Sequence, residues 1–256
     1  MLDFYRFRHF QTSPALMHAV STKSQDLPYT FSLALHTGED TEKIVDNRKQ
    51  LAKHLGSSDD LHFIVANQTH SDHIKVIEAN ESKGWTSLSD AIEDCDALIT
   101  NVSQVVLSIL TADCVPILLY DPKQKVIAAV HAGWKGTEAK IVAKTVAKMS
   151  EVFHSEAKDI IAGIAPSIGK CCYEVGEDVA KHFFNHPDAC TAKGTKFMLD
   201  LPSINKEQLV SAGLQEKNIE MSKICTACEV ERFFSYRKEK GCSGRFMSMI
   251  TLKELK

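Results

Sequence analysis

Apolar residues recur along the chain in two rhythms. Eight short runs are near-continuous or alternate with period two: Leu61–Gln68, His73–Ala79, Val105–Asp113, Pro116–Asp121, Val126–Ala132, Ile160–Ala165, Ile219–Ile224 and Phe246–Leu252. Most are rich in Val and Ile, and the near-continuous ones predict strands covered on both faces. Several runs lie only a few residues apart, too close for the crossover that a parallel pair needs. The pattern therefore predicts a mixed sheet rather than an all-parallel one.

The second rhythm is helical. Ile44, Leu51, Ala52 and Leu55 share one face and predict a helix from Asp40 to Leu55, stopped by Gly56. Val142, Val146, Met149 and Phe153 stripe a second helix from Thr137 to Phe153, with Lys140, Lys144 and Lys148 pointing outward. A third runs from Ser203, a plausible N-cap, to Gly213, and a shorter one follows Gly176 through Val179, Phe183 and Phe184. No repeat, low-complexity tract or Pro/Gly/Ser-rich linker divides the sequence. The expectation is one domain over residues 1–256, an α+β or α/β sandwich of mixed β-sheets flanked by helices.

Composition then narrows the function classes. The chain has 256 residues, 44% hydrophobic and 25% charged, as in ordinary soluble proteins. A net charge of -3 gives no electrostatic footprint for nucleic acid or an anionic membrane. The start, MLDFYRFRHF, lacks a basic segment followed by an apolar run, and no apolar stretch approaches the ~18 residues of a membrane helix. Eight cysteines then read as reduced thiols in a cytoplasm.

Three ligand-type residues stand at or just past the ends of apolar runs: His70 after Leu61–Ala66, Cys114 after Val105–Leu110, and His131 closing Val126–Val130. Strand ends on one sheet face converge, so the three can meet. Two imidazoles and a thiolate make a three-point zinc site with a fourth position open to water or substrate. The plain alternative is three side chains separately packed or solvated, since no short motif such as HExxH joins them.

Arg48 falls inside the apolar stripe of the first helix, where a guanidinium needs water, a carboxylate or a ligand. It reads either as a snorkelling or ion-paired structural residue, or as a group that binds phosphate or carboxylate. The turn Gly133-Trp134-Lys135-Gly136-Thr137 could hold an anion on its backbone N–H groups, with Lys135 adding charge. Turn glycines with a Thr N-cap explain the same residues.

Cys225 and Cys228 form a CxxC, which could serve redox chemistry or bind zinc, but no second CxxC completes a four-cysteine site, and reduced structural thiols are the favoured reading. The vicinal Cys171 and Cys172 are candidates for a pocket wall, while Cys95, Cys190 and Cys242 read as packing. Asp96 and Asp113 flank the site segments, where each could orient a histidine, act as a general acid or base, or cap backbone. Tyr173, Phe234 and Tyr236 could stack on a base or belong to the core.

Several segments together carry a family resemblance: Gln68-Thr69-His70-Ser71-Asp72, Thr111-Ala112-Asp113-Cys114-Val115-Pro116, and His131-Ala132-Gly133-Trp134-Lys135-Gly136-Thr137. Gly163 to Gly176, Cys225-Thr226, Phe233-Phe234-Ser235-Tyr236-Arg237 and Gly244-Arg245 extend it, in order, over nearly the whole chain. Together they resemble the laccase-domain family, named for multicopper polyphenol oxidase and also described as purine nucleoside phosphorylases. The sequence departs from the family at Lys135, where Arg is common, at Ser71, where Gly is frequent, and at Val20-Ser21-Thr22-Lys23-Ser24, which lacks paired glycines.

The resemblance implies that His70, Cys114 and His131 bind Zn²⁺, with Cu²⁺ able to occupy the same ligands. It implies phosphorolysis of adenosine, inosine and S-methyl-5'-thioadenosine, with adenosine deamination as a second activity. The small-molecule partners would be a nucleoside and phosphate, with Arg48 and the turn of Gly133, Lys135 and Thr137 holding phosphate. A copper polyphenol oxidase is a competing reading, but it needs a multi-histidine cluster, and the 11 histidines include no His-x-His pair. A hydrolase editing peptidoglycan precursors, with Cys114 as thiolate nucleophile, is another. A zinc-stabilised interaction module is the non-enzymatic alternative.

Overall fold

The apolar runs assemble into two stacked sheets. The computed structural model describes residues 2–56, 61–241 and 244–254, so Cys242 lies outside the described residues. The first sheet has the order β1-β2-β14-β6-β3, with β1 Phe4–Tyr5, β2 Leu16–Ser21, β3 His62–Val65, β6 Val105–Thr111 and β14 Phe246–Leu252. The second has the order β13-β9-β7-β8-β5-β4, with β4 Ile74–Val76, β5 Ala97–Thr100, β7 Val115–Asp121, β8 Val126–Ala132, β9 Ile161–Ile164 and β13 Ile219–Met221. Both sheets are mixed: β3–β6, β4–β5 and β9–β13 pair in parallel, and the other pairs of the two sheets are antiparallel.

Burial on both faces explains the near-continuous apolar runs. Alternate residues of β7 go opposite ways, Leu118 and Tyr120 into the layer between the sheets, Ile117 and Leu119 against the outer helices. The inner layer adds Leu107, Ile109, Ile127, Ala129 and Ile250, with Phe10 of the short α1 (Arg8–Gln11). Outside the second sheet lie α4 (Ile141–Phe153) and α6 (Leu201–Ser211), which present Val142, Val146, Met149, Ile204 and Leu209. Outside the first sheet lies α2 (Thr41–Leu55), with Leu51 and Ala52 on Phe63, Val65 and Met247. The domain is an α+β sandwich of helix, sheet, sheet and helices. Among the described residues no helix is long and apolar enough to cross a membrane.

Several elements differ from the sequence reading. The helix expected over Thr137–Phe153 is two pieces, α3 (Trp134–Glu138) and α4, because Lys140 adopts a left-handed φ of 59° between them. Thr137 is therefore a buried residue inside α3, whose N-cap is Gly133. The third helix starts at Leu201, since Asp200, not Ser203, is the cap: its carboxylate accepts from Ser203 N–H. After Gly176 only α5 (Glu177–Ala180) and a turn of 3-10 helix form. Strands β1, β2 and β5 were not expected, nor was a small sheet of β10 (Glu174–Val175), β12 (Lys196–Leu199) and β11 (Cys190–Lys193).

Candidate metal centre and its pocket

The three ligand-type residues meet, but not at the edge of one sheet. His70 sits in the loop after β3 of the first sheet, and Cys114 in the turn where the chain crosses from β6 to β7, hence from one sheet to the other. His131 lies near the C-terminal end of β8 in the second sheet, directly opposite Pro116 on β7. The expectation of one converging sheet face is thus corrected: the site forms where the chain changes sheets, which brings strand ends of both layers to one place.

One ligand atom from each of His70, Cys114 and His131 lies within 4.8 Å of the others, and the group could hold a metal ion. Cys114 Sγ stands 3.7 Å from His70 Nε2. Tetrahedral zinc, with bonds of about 2.0–2.1 Å to nitrogen and 2.3 Å to sulfur, separates such a pair by about 3.6 Å. The two rings meet edge to face at a centroid distance of 4.8 Å. Local backbone shapes the approach: His70 has φ 63° and Asp113, before Cys114, has φ 89°.

Asp96 organises two of the three ligands. It ends the segment before β5, and its carboxylate is fully buried. The His131 Nδ1–H donates to Asp96 Oδ1 at 2.6 Å, which leaves Nε2 as the nitrogen that can face a metal. The same carboxylate accepts from the backbone N–H of Thr69, His70 and Ser71 at 3.2, 3.1 and 2.7 Å, and from the Ser71 hydroxyl at 2.7 Å. Burial alone would raise its pKa, but the bonds from His131 and Ser71 hold it well below the usual carboxylate range. In the metal-free site burial opposes the Cys114 thiolate, yet the His131 charge and the hydrogen bonds to both histidines bring its pKa down to about 6. His131 is pushed up to about 9 against its own burial, by the Cys114 thiolate and by Asp96. Near pH 7 the metal-free site thus pairs a Cys114 thiolate with a His131 imidazolium, and a soft divalent metal would take the thiolate and replace the imidazolium proton.

Gly133 makes room for this group. Its φ of -72° suits any residue, but a Cβ there would stand 2.9 Å from His70 Cδ2 and 3.3 Å from Cys114 Sγ. The glycine is required by close approach and not by conformation.

The triad opens on a cavity of about 510 Å³, in the usual size range for small-molecule sites. Its cations are Arg237 and Arg245, with His36 at the same wall. Tyr173 and Tyr236 line it as well, while Phe234 is buried in the core between the sheets. The Arg237 guanidinium lies over the Tyr173 ring at 5.3 Å and donates to Glu174 O at 2.7 Å. Asp113 braces this wall, accepting from Thr226 Oγ1 at 2.6 Å and from the Arg237 backbone N–H at 2.7 Å. Desolvation, then the charges of Arg245, Arg48 and His131, hold the His36 pKa down, so its ring is neutral near pH 7.

The other sequence candidates go elsewhere. Arg48 is fully buried and does not line the cavity. Its Nε donates to Leu33 O at 2.8 Å, and its Nη1 to Gly84 O and Trp85 O at 2.7 and 2.6 Å, with the Trp85 ring 5.3 Å away. It ties two loops to α2: carbonyl oxygens answer Nε and Nη1, while Nη2 is buried with no hydrogen-bond partner among the described residues. Lys135 is exposed beside the Trp134 ring and also lies off the cavity wall. The Gly133–Thr137 turn is filled by protein: Thr137 Oγ1 accepts from Asn205 Nδ2 at 2.9 Å, and a Cβ at Gly136 would press on Ile141 and touch Ser71 O and His131 O. No spacing in the sequence marks His36, Arg237 or Arg245 as ligands. The last two stand in the Phe-Phe-Ser-Tyr-Arg and Gly-Arg segments that carried the resemblance, and this was the available signal.

Comparison with known proteins agrees with this architecture. The family model described as multi-copper polyphenol oxidoreductase laccase matches residues 17–253, and the chain belongs to that family. Purine nucleoside phosphorylase YlmD of Bacillus subtilis is 34% identical over 232 residues, 88% of this chain and 83% of the relative. Adenosine deaminase RL5, from an unknown prokaryotic organism, is 35% identical over 230 residues, 87% of each chain. The crystal structure of YlmD from Geobacillus stearothermophilus superposes with a TM-score of 0.90 at 29% identity, over 97% of this chain and 94% of the other. That of Bacillus licheniformis hypothetical protein YfiH gives 0.87 at 34% identity, over 93% of both.

Proposed function

We propose that the chain is a cytoplasmic, zinc-dependent purine nucleoside phosphorylase that takes adenosine, inosine and S-methyl-5'-thioadenosine, with adenosine deamination as a second activity. The observation that carries this reading is an open three-ligand group, His70, Cys114 and His131, facing a cavity that also holds two guanidinium groups. Relatives named for phosphorolysis of purine nucleosides and for adenosine deamination point to the same substrate class.

Phosphorolysis forms a bond from phosphate oxygen to ribose C1' and breaks the bond from C1' to the purine, which leaves with the electron pair. The cavity must therefore hold an anion beside a sugar and an aromatic base. Arg237 and Arg245 supply donors for phosphate, in place of Arg48 and Lys135. Tyr173 and Tyr236 supply aromatic faces for the base. His36, neutral at the wall, can exchange a proton with a departing or arriving group. Zinc, when bound by the triad, supplies Lewis acidity and can activate water, which deamination of an adenine ring needs. Asp96 keeps His131 in one tautomer.

A second reading rests on Cys114 itself, whose depressed pKa in the metal-free site also suits a thiolate nucleophile acting on a peptidoglycan precursor. One experiment separates the two. Protein with bound zinc is incubated with adenosine in the presence and absence of phosphate, and again after chelation. The expected result is ribose 1-phosphate and adenine only with phosphate, inosine under either condition, and loss of both after chelation. Full activity in zinc-free protein would overturn the proposal. So would inertness toward every purine nucleoside together with turnover of a muropeptide precursor.

A further inference from the structure

Outside the lining of the cavity, four sulfur atoms come together from two loops. Cys171 and Cys172 lie in the turn after β9, and Cys225 and Cys228 in the turn after β13. Their Sγ atoms all lie within 4.8 Å of one another. Cys228 Sγ stands 3.7 Å from that of Cys171 and 3.5 Å from that of Cys172. None of the four is in a disulfide. A tetrahedral tetrathiolate with metal–sulfur bonds of about 2.3 Å has sulfur–sulfur edges of about 3.8 Å, which the two edges at Cys228 nearly match and which the 4.8 Å bound on the others allows.

Backbone pairing, independent of the sulfurs, sets these positions. Ser167 bridges to Cys225, and Thr226 N–H donates to Ser167 O at 3.0 Å. The Gly169 N–H donates to Cys225 Sγ at 3.3 Å, the kind of bond that supports a thiolate ligand. The complement of this CxxC is a vicinal pair, with Cys171 57 residues from Cys228, so no second CxxC marks the quartet in the sequence.

We propose that Cys171, Cys172, Cys225 and Cys228 form a second metal site, a closed tetrathiolate that takes one zinc ion. Four soft sulfur donors in a tetrahedron select zinc or a single iron over oxygen-seeking cations. A polynuclear iron–sulfur cluster distributes its cysteines over several irons and needs a wider quartet. Four protein ligands leave no position for substrate, so the site is structural. It staples the loop that carries Ile168 and Tyr173 of the cavity to the loop that carries Thr226, the partner of Asp113. This inference does not depend on the nucleoside reading.

The test is zinc content and coordination in the full chain, purified under reducing conditions, equilibrated with zinc and freed of excess. Cys171→Ser combined with Cys228→Ser should lose about one zinc per chain relative to the parent. His70→Ala combined with His131→Ala should keep the quartet's zinc, and X-ray absorption at the zinc edge should then report four sulfur neighbours at about 2.3 Å. Because that second protein leaves the quartet intact, it decides the matter even where the serine variant fails to fold. Zinc content unchanged by the serine substitutions, nitrogen neighbours in the second protein, iron in place of zinc, or a disulfide within the quartet in place of metal would each overturn the proposal.

Discussion

The Asp96 carboxylate lies 2.6 Å from Nδ1 of His131, and this contact decides which imidazole nitrogen is left to face a metal. The same group gathers the N–H donors of Thr69, His70 and Ser71, so one buried carboxylate sets both the ring of His131 and the backbone of His70. Asp96→Asn keeps the shape, but it has one acceptor oxygen in place of two: with that oxygen on His131 Nδ1–H, its N–H₂ faces the N–H donors of Thr69 and Ser71, and its charge is gone. Zinc affinity should fall about 10–100-fold, as for other outer partners of ligand histidines. A competition titration with a chromogenic chelator measures it. Unchanged affinity would show that the loop holds the ligands without Asp96.

Gly133 gives a prediction of the opposite kind, a steric one. With ordinary backbone angles, alanine there costs nothing conformationally, yet its methyl would sit 2.9 Å from His70 Cδ2. His70 is the exposed member of the triad and is the group that can move. Gly133→Ala should therefore fold with a melting temperature near the parent's and bind zinc at least about tenfold more weakly, the size of a disturbed ligand shell. Equal zinc affinity in a folded variant would mean that the triad tolerates the displacement.

Arg48 and the cavity arginines should separate cleanly in experiment. Arg48→Ala removes a buried guanidinium that serves three carbonyl oxygens, and hydrogen bonds from charged donors are among the stronger ones. The expected effect is a loss of about 2–4 kcal/mol of stability in denaturant titration. Arg237→Ala should instead raise KM for phosphate about tenfold or more while shifting stability by about 1 kcal/mol or less. An Arg48→Ala protein of parental stability with a weakened grip on phosphate would reverse this assignment.

Much of the scaffold was legible because burial on both faces leaves a signature. The runs at β6, β7, β8 and β14 are apolar at nearly every position, and their bounds were read to within a residue or two. β2 was not, since Leu-Met-His-Ala-Val-Ser carries a buried histidine that looks like a polar interruption. β10, β11 and β12 are short and half-exposed, with no period to read. At the site, residue type and place on the strands suggested His70, Cys114 and His131. Their meeting across two sheets is a tertiary fact that no local pattern encodes. Arg48 shows the limit of the pattern: a charge on an apolar stripe signals that a partner is required but not which one, and here backbone carbonyls take Nε and Nη1.

The histidine that hid β2 yields a pH dependence. His18 is buried against Phe7 and Phe10, and its Nε2 accepts from the Phe7 backbone N–H at 2.8 Å. An accepting Nε2 must be unprotonated. Desolvation, then the nearby Arg6 charge, lowers its pKa to about 4. In the unfolded chain an unperturbed histidine titrates near about 6.5. Between these values the unfolded state binds the proton and the native state does not, so stability falls as pH falls from about 6.5 toward 4. Above the upper value His18 contributes no pH dependence, and below the lower one the loss is complete. Between pH 7 and 5 the loss amounts to about 2 kcal/mol. His18→Gln can still accept from Phe7 N–H through its side-chain carbonyl but has nothing to titrate. Urea unfolding of both proteins at pH 7 and pH 5 isolates the effect, since every other titrating group, the metal ligands included, is common to the two. The parent should lose more stability than the variant over that interval, and parallel losses would place the His18 proton elsewhere.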